Sequence, residues 1–118
     1  MSSFVKSVGF AIRGVKQMVL KERNFKIHLV VSFIIIIAGI FFNFTYLEWL
    51  IVLLLVAMVL SAEIFNSAIE GVCDLLNKKL KLKYHETTEI RDYTAAAVLL
   101  IAFYAIIIGL ILIVNKII

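Results

Sequence analysis

Proline is absent from this chain of 118 residues, cysteine occurs once, and charged residues make up only 17% of it. The single cysteine, Cys73, excludes a disulfide within the chain and any cysteine cage for a metal, and it reads as a small apolar packing residue. No small-residue cleavage site follows the first long apolar run, which begins near Leu29, so nothing reads as a cleavable signal. The motifs of soluble enzymes are missing as well. GFAIRGVK at Gly9–Lys16 is only superficially like a phosphate loop, because Lys does not directly follow the second Gly and no Ser or Thr comes next. There is no Gly-x-Gly-x-x-Gly, no zincin pair of histidines and no nucleophile elbow. No internal repeat, low-complexity tract or flexible linker is visible.

What the chain has in excess is apolar surface. Hydrophobic residues make up 64%, with a mean hydropathy of +1.09. A soluble domain this short could not hide so much, since small domains have the poorest surface-to-volume ratio. The length allows one domain with about three membrane spans of about 20 residues each. The expected fold class is therefore an all-α membrane protein, a single domain over 1–118. It comprises a surface helix over 1–26 and transmembrane helices over 28–46, 48–76 and 92–115.

In the first segment Phe4, Val8, Ala11, Ile12, Val15, Met18 and Val19 recur at helical spacing, while Lys6, Arg13 and Lys16 fall on the opposite side. Such an amphipathic helix suits the headgroup plane, and its apolar stripe could equally pack on the bundle. Tyr46 and Trp49 read as an aromatic belt and His28 as an interface anchor. Ser32 can bond back to its own helix and needs no special role. Lysines and arginines crowd the amino-terminal segment and the loop NKKLKLKYHE, and the connector between the first two spans has none. The positive-inside rule then puts the amino terminus in the cytoplasm and the carboxyl terminus outside, with Lys116 a minor dissent. The net charge of +4 is membrane-surface charge, and no nucleic-acid partner is expected because no recognition motif accompanies it.

Chemistry concentrates after the apolar run Trp49–Leu60, in AEIFNSAIEGVCD. On a helix, Glu63, Asn66, Glu70 and Asp74 fall within roughly 80° of arc. The uncharged stretch Trp49–Ala62 covers only roughly 21 Å of a hydrocarbon core about 30 Å thick. Glu63 is thus expected inside the inner leaflet and Glu70 about 10 Å further on, near the interface. Ionisable groups so placed mark a functional site by default. The plainer reading is a helix leaving the bilayer with its charges solvated. Carboxylates plus Asn, with Glu22 in KERNFKIH and Arg91–Asp92 at the start of the third span, suit Mg²⁺ holding phosphates, with one carboxylate left over as a base.

KERNFKIH, AEIFNSAIEGVCD, YHE and IRDYTAAAVLL together resemble the prokaryotic diacylglycerol kinase family, over about Gly9 to Leu110. The resemblance implies a small trimeric lipid kinase of the bacterial cytoplasmic membrane, with active sites shared between subunits. Its substrates would be MgATP and a membrane lipid alcohol, diacylglycerol or, as in Gram-positive relatives, undecaprenol. By the same resemblance Glu63 is the general base, and Glu22 and Glu70 are the Mg²⁺ ligands at the nucleotide. Asn66 and Asp74 become polar partners, and Tyr84, His85, Arg91 and Asp92 nucleotide contacts. The chain departs from the family pattern in having Arg91 where Lys is usual, and its loop between Asp74 and Tyr84 is longer than in the best-known diacylglycerol-specific members. Arg keeps the charge and offers a bidentate grip on phosphate.

Each residue also has a plainer reading: His85 as a solvated interfacial histidine, Glu22 as a surface ion pair, Arg91–Asp92 as a helix cap, and Ala68 and Gly71 as close-packing positions. Two rival functions stand beside the kinase. One is a non-enzymatic cation-pathway subunit, against which the absence of charge along Leu29–Phe44 and Tyr93–Val114 argues. The other is an inactive scaffold, against which the retention of all four residues of the polar face argues.

Overall fold

The computed structural model describes residues 2–118 and is all helical. Helix α1 runs Ser3–Lys21, α2 Arg23–Phe41, α3 Tyr46–Lys79 and α4 Thr88–Ile117, with a 3₁₀ turn at Tyr84–Glu86 before α4. Helices α2, α3 and α4 are each long and apolar enough to cross a membrane. Helix α3 packs on both α2 and α4, and α1 packs on α2.

The boundaries differ from the sequence expectation in an instructive way. The helix expected over 1–26 ends at Lys21, and residue 1 lies outside the described residues. Glu22 alone separates α1 from α2, with extended dihedrals of φ −101° and ψ 113°. Its N–H still donates to Met18 O at 2.9 Å, and its carbonyl accepts from Lys26 N at 3.2 Å. One residue therefore closes one helix and opens the next, so no glycine or proline is needed to mark the bend. The first span accordingly runs Arg23–Phe41 rather than 28–46.

Between α2 and α3 the chain turns in four residues. Phe44 N–H donates to Gly39 O at 2.9 Å and Asn43 N–H to Ile40 O at 3.4 Å, with Asn43 left-handed at φ 54°. This is a Schellman ending, in which Asn takes the position glycine usually fills. Thr45 then caps α3 in a reciprocal box with Glu48. Gly39 is fixed by contact: a Cβ there would meet the Trp49 ring at 2.7 Å and the Phe44 ring at 2.9 Å. Gly71, by contrast, faces open space, so no packing within the chain's described residues requires it. At the same end Lys116 Nζ pairs with Glu48 Oε1 at 2.8 Å and donates to Asn43 O at 3.3 Å. The one lysine that dissented from the charge pattern is thus neutralised in a clamp between the α2–α3 turn and the end of α4.

Helix α3 carries the site. Glu48, Val52, Val59 and Glu63 are all buried and lie within roughly 60° of one another around the axis. Asn66, Glu70, Asp74 and Asn77 extend that stripe toward the other end. The face that packs against the neighbouring helices is apolar at mid-span and becomes polar beyond Val59.

Candidate functional site

Glu63 lies on the uninterrupted helix Tyr46–Lys79, roughly 26 Å along its axis from Tyr46. Its side chain is 5% exposed, and Oε1 sits 3.1 Å from Nε2 of His28 on α2. A carboxylate so deeply buried requires a partner, and the imidazole is it. His28 is therefore more than an interface anchor. Phe25 and Ser32, the buried residues three before and four after it, mark the packed face of α2, a helix that is apolar on every side and so gave no periodic signal in the sequence. The Ser32 hydroxyl donates to His28 O at 2.7 Å, the back-bond that leaves it without a further role.

Beside the pair a groove of about 280 Å³ runs between α2, α3 and α4. Val31, Ile35, Val56, Val59 and Ile106 are among its walls, and His28 and Ser32 are its only polar side chains. Hydrocarbon and a carboxylate-bound imidazole thus meet at one place.

One turn beyond Glu63, Asn66 is half-buried and donates from Nδ2 to Glu70 Oε1 at 3.1 Å. Its Oδ1 is sealed from solvent and has no hydrogen-bond partner among the described residues. Buried polar atoms are nearly always satisfied, so this oxygen is an acceptor waiting for a donor or a cation. Glu22 stands half-buried at the α1–α2 hinge and makes no side-chain cap bond. Among the described residues no three His, Cys, Asp or Glu side chains converge as a cage for an ion. The two glutamates and the Asn66 oxygen are nonetheless hard donors of the kind Mg²⁺ takes, and that ion commonly keeps several waters and uses one or two carboxylates.

Arg91 organises the loop end of the site. Nη2 donates to Asp74 Oδ1 at 2.9 Å and Asn77 Oδ1 at 2.8 Å, and Nε to Thr87 Oγ1 at 3.2 Å. Its guanidinium lies 4.6 Å from the centre of the exposed Tyr84 ring. A bidentate grip on phosphate through both terminal nitrogens would require Nη2 to give up Asp74 or Asn77, whereas Nη1 has no partner among the described residues. Asp92 and His85 are exposed. Helix α4 starts at Thr88, earlier than the expected 92, and its cap is Thr87, so Arg91–Asp92 lies within the helix rather than capping it.

Asn77 is the residue that sequence reasoning missed here. It stands three after Asp74 and continues the polar stripe, which was the available signal. Its Nδ2 donates to Leu82 O at 3.1 Å and Lys83 O at 3.2 Å, while Oδ1 accepts from Arg91 and lies 3.3 Å from the Thr87 hydroxyl. One amide thus ties α3, the loop and α4 together and holds Lys81 in its left-handed conformation at φ 57°. Asn77→Ala would leave these partners unpaired, at a cost of about 1–3 kcal/mol. Trypsin cleavage at the loop lysines should accelerate by roughly tenfold, because cleavage follows the open population. An unchanged cleavage rate would show that the loop is held by other contacts.

The prokaryotic diacylglycerol kinase family model matches residues 9–113. Undecaprenol kinase of Bacillus subtilis (strain 168) is 32% identical over 117 residues, covering 98% of this chain and 92% of that protein. A diacylglycerol kinase of Synechocystis sp. is 33% identical over 104 residues, covering 87% of this chain and 58% of that protein. No solved structure gives a significant match.

Proposed function

Since this chain belongs to the prokaryotic diacylglycerol kinase family and is a lipid kinase of the bacterial membrane, we propose that it transfers the γ-phosphoryl of MgATP to the hydroxyl of undecaprenol or diacylglycerol. The observation that carries this reading is the buried Glu63 carboxylate paired with His28, whose imidazole lines an apolar groove, on the helix face that continues to Glu70.

Phosphoryl transfer needs alignment and charge neutralisation more than covalent help from the protein. Mg²⁺ would be held by Glu22 and Glu70, with the unpartnered Asn66 Oδ1 nearby, and when bound it neutralises charge on the phosphates. Asn66 holds the Glu70 carboxylate in one orientation. Tyr84, His85, Arg91 and Asp92, at the same end of the bundle, contact the nucleotide. At the other end of the polar face Glu63 accepts the hydroxyl proton as the lipid oxygen attacks the γ-phosphorus and the bond to the bridging oxygen breaks, releasing ADP.

The side chain of Asp74 is 71% exposed and Glu70 is only half-buried, so one chain leaves the nucleotide end open. We assign the missing walls to neighbouring subunits of a homotrimer. The orientation has the amino terminus and the loop of Lys78, Lys79, Lys81 and Lys83 in the cytoplasm, where ATP is. Helix α1, with Phe4, Ile12 and Val19 exposed, lies along the membrane surface.

Purified protein assayed with MgATP against undecaprenol, diacylglycerol and a long-chain alcohol tests the reading. Phosphate transfer to at least one lipid alcohol is expected, and the ratio of kcat/KM values names the acceptor. No transfer above background to any of them would refute the kinase reading.

A further inference from the structure

We propose that His28 is a positioning residue for the reaction: it donates its Nε2–H to Glu63 Oε1 and so leaves Glu63 Oε2 as the oxygen that takes the proton from the lipid hydroxyl. The inference rests on the assignment of Glu63 as base. Three features of the structure carry it. His28 Nε2 is 3.1 Å from Oε1, and it is the only side-chain polar contact of the carboxylate among the described residues. Oε2 has no such contact among the described residues, which leaves its lone pairs for an incoming group. His28 and Ser32 are the polar side chains in the wall of the apolar groove, and the Ser32 hydroxyl is already committed to the His28 carbonyl. A lipid hydroxyl arriving along that groove therefore meets the imidazole that holds the carboxylate.

The physical reason for such a partner is orientation. A carboxylate rotates about its terminal torsion through a broad, two-fold well, and a base must present one oxygen within hydrogen-bond reach of the proton it takes. Binding one oxygen to an imidazole on a different helix removes that freedom before the substrate arrives. Misplacement by about 1 Å can cost about 10²-fold in rate, so loss of the tether should be visible in turnover.

The test uses His28→Leu and His28→Gln, each in the native background and with Glu63→Gln, in detergent-purified full-length protein. Gln keeps an N–H close to the place of Nε2, whereas Leu keeps only bulk. His28→Leu is expected to lower kcat by about 10–10²-fold, with KM for MgATP unchanged within about twofold. His28→Gln is expected to regain most of that loss, which a structural role in the α2–α3 packing alone would not predict if both variants melt at similar temperatures. In the Glu63→Gln background His28→Leu should cost almost nothing further, because the oxygen it positions no longer accepts a proton. Native turnover in His28→Leu, equal damage by Leu and Gln, or full additivity with Glu63→Gln would each overturn the role of His28. Native turnover in Glu63→Gln alone would overturn the base assignment itself, a result that the His28 single variants cannot mimic.

Discussion

Glu63→Gln is expected to lower kcat by about 10²–10⁴-fold, the usual contribution of general acid–base catalysis, and to leave MgATP affinity nearly unchanged. The substitution is close to isosteric. Gln can still accept the hydrogen bond from His28 Nε2 through its amide oxygen, so the 3.1 Å contact survives and α2 stays seated on α3. What Gln cannot do is take a proton. Affinity for nucleotide should hold because Glu63 lies about 10 Å, or two turns, along the helix from Glu70. Turnover and nucleotide binding measured on the same preparation decide the matter. A loss of binding in proportion to turnover would make Glu63 a ligand, and near-native turnover would leave it a buried structural residue.

The second large effect is expected at the nucleotide end. Glu70→Gln and Glu22→Gln should each reduce kcat/KM by about 10²–10³-fold, the range seen when one preorganised electrostatic partner of a transition state is removed. Both should also weaken MgATP binding. Neither change should harm the fold. Gln at position 70 still accepts from Asn66 Nδ2, and Glu22 makes no side-chain cap bond that could be lost. The double variant should be little worse than either single one, because residues that act as one coordination unit are not additive. Additive losses, or single losses under threefold, would mean that the two carboxylates do not share an ion.

Three membrane-spanning helices, the polar face of α3 and the family were all legible in the sequence. The reason is that these depend on one-dimensional quantities: length of apolar run, spacing at 3.6 residues per turn, and residue type at fixed offsets. A chain with Glu63, Asn66, Glu70 and Asp74 at steps of three, four and four has them on one face whatever packs against it. Tertiary structure decided what those groups touch. Nothing in the spacing says that the imidazole of His28, on another helix, closes on Glu63, or that Arg91 is spent on Asp74, Asn77 and Thr87 before any phosphate is considered. Partnerships of this kind depend on the lateral register of α2 and α4 against α3, which is set by side-chain packing such as Gly39 under the Trp49 ring. The break at Glu22 was hidden for a related reason. A bend confined to the dihedrals of one residue, with both flanking hydrogen bonds retained, leaves no compositional trace. The sequence by itself thus determined which groups share a face and how far apart along the helix each lies. Only the assembled helices decided which side chain meets Glu63, because that choice is made by contact between chain segments far apart in sequence.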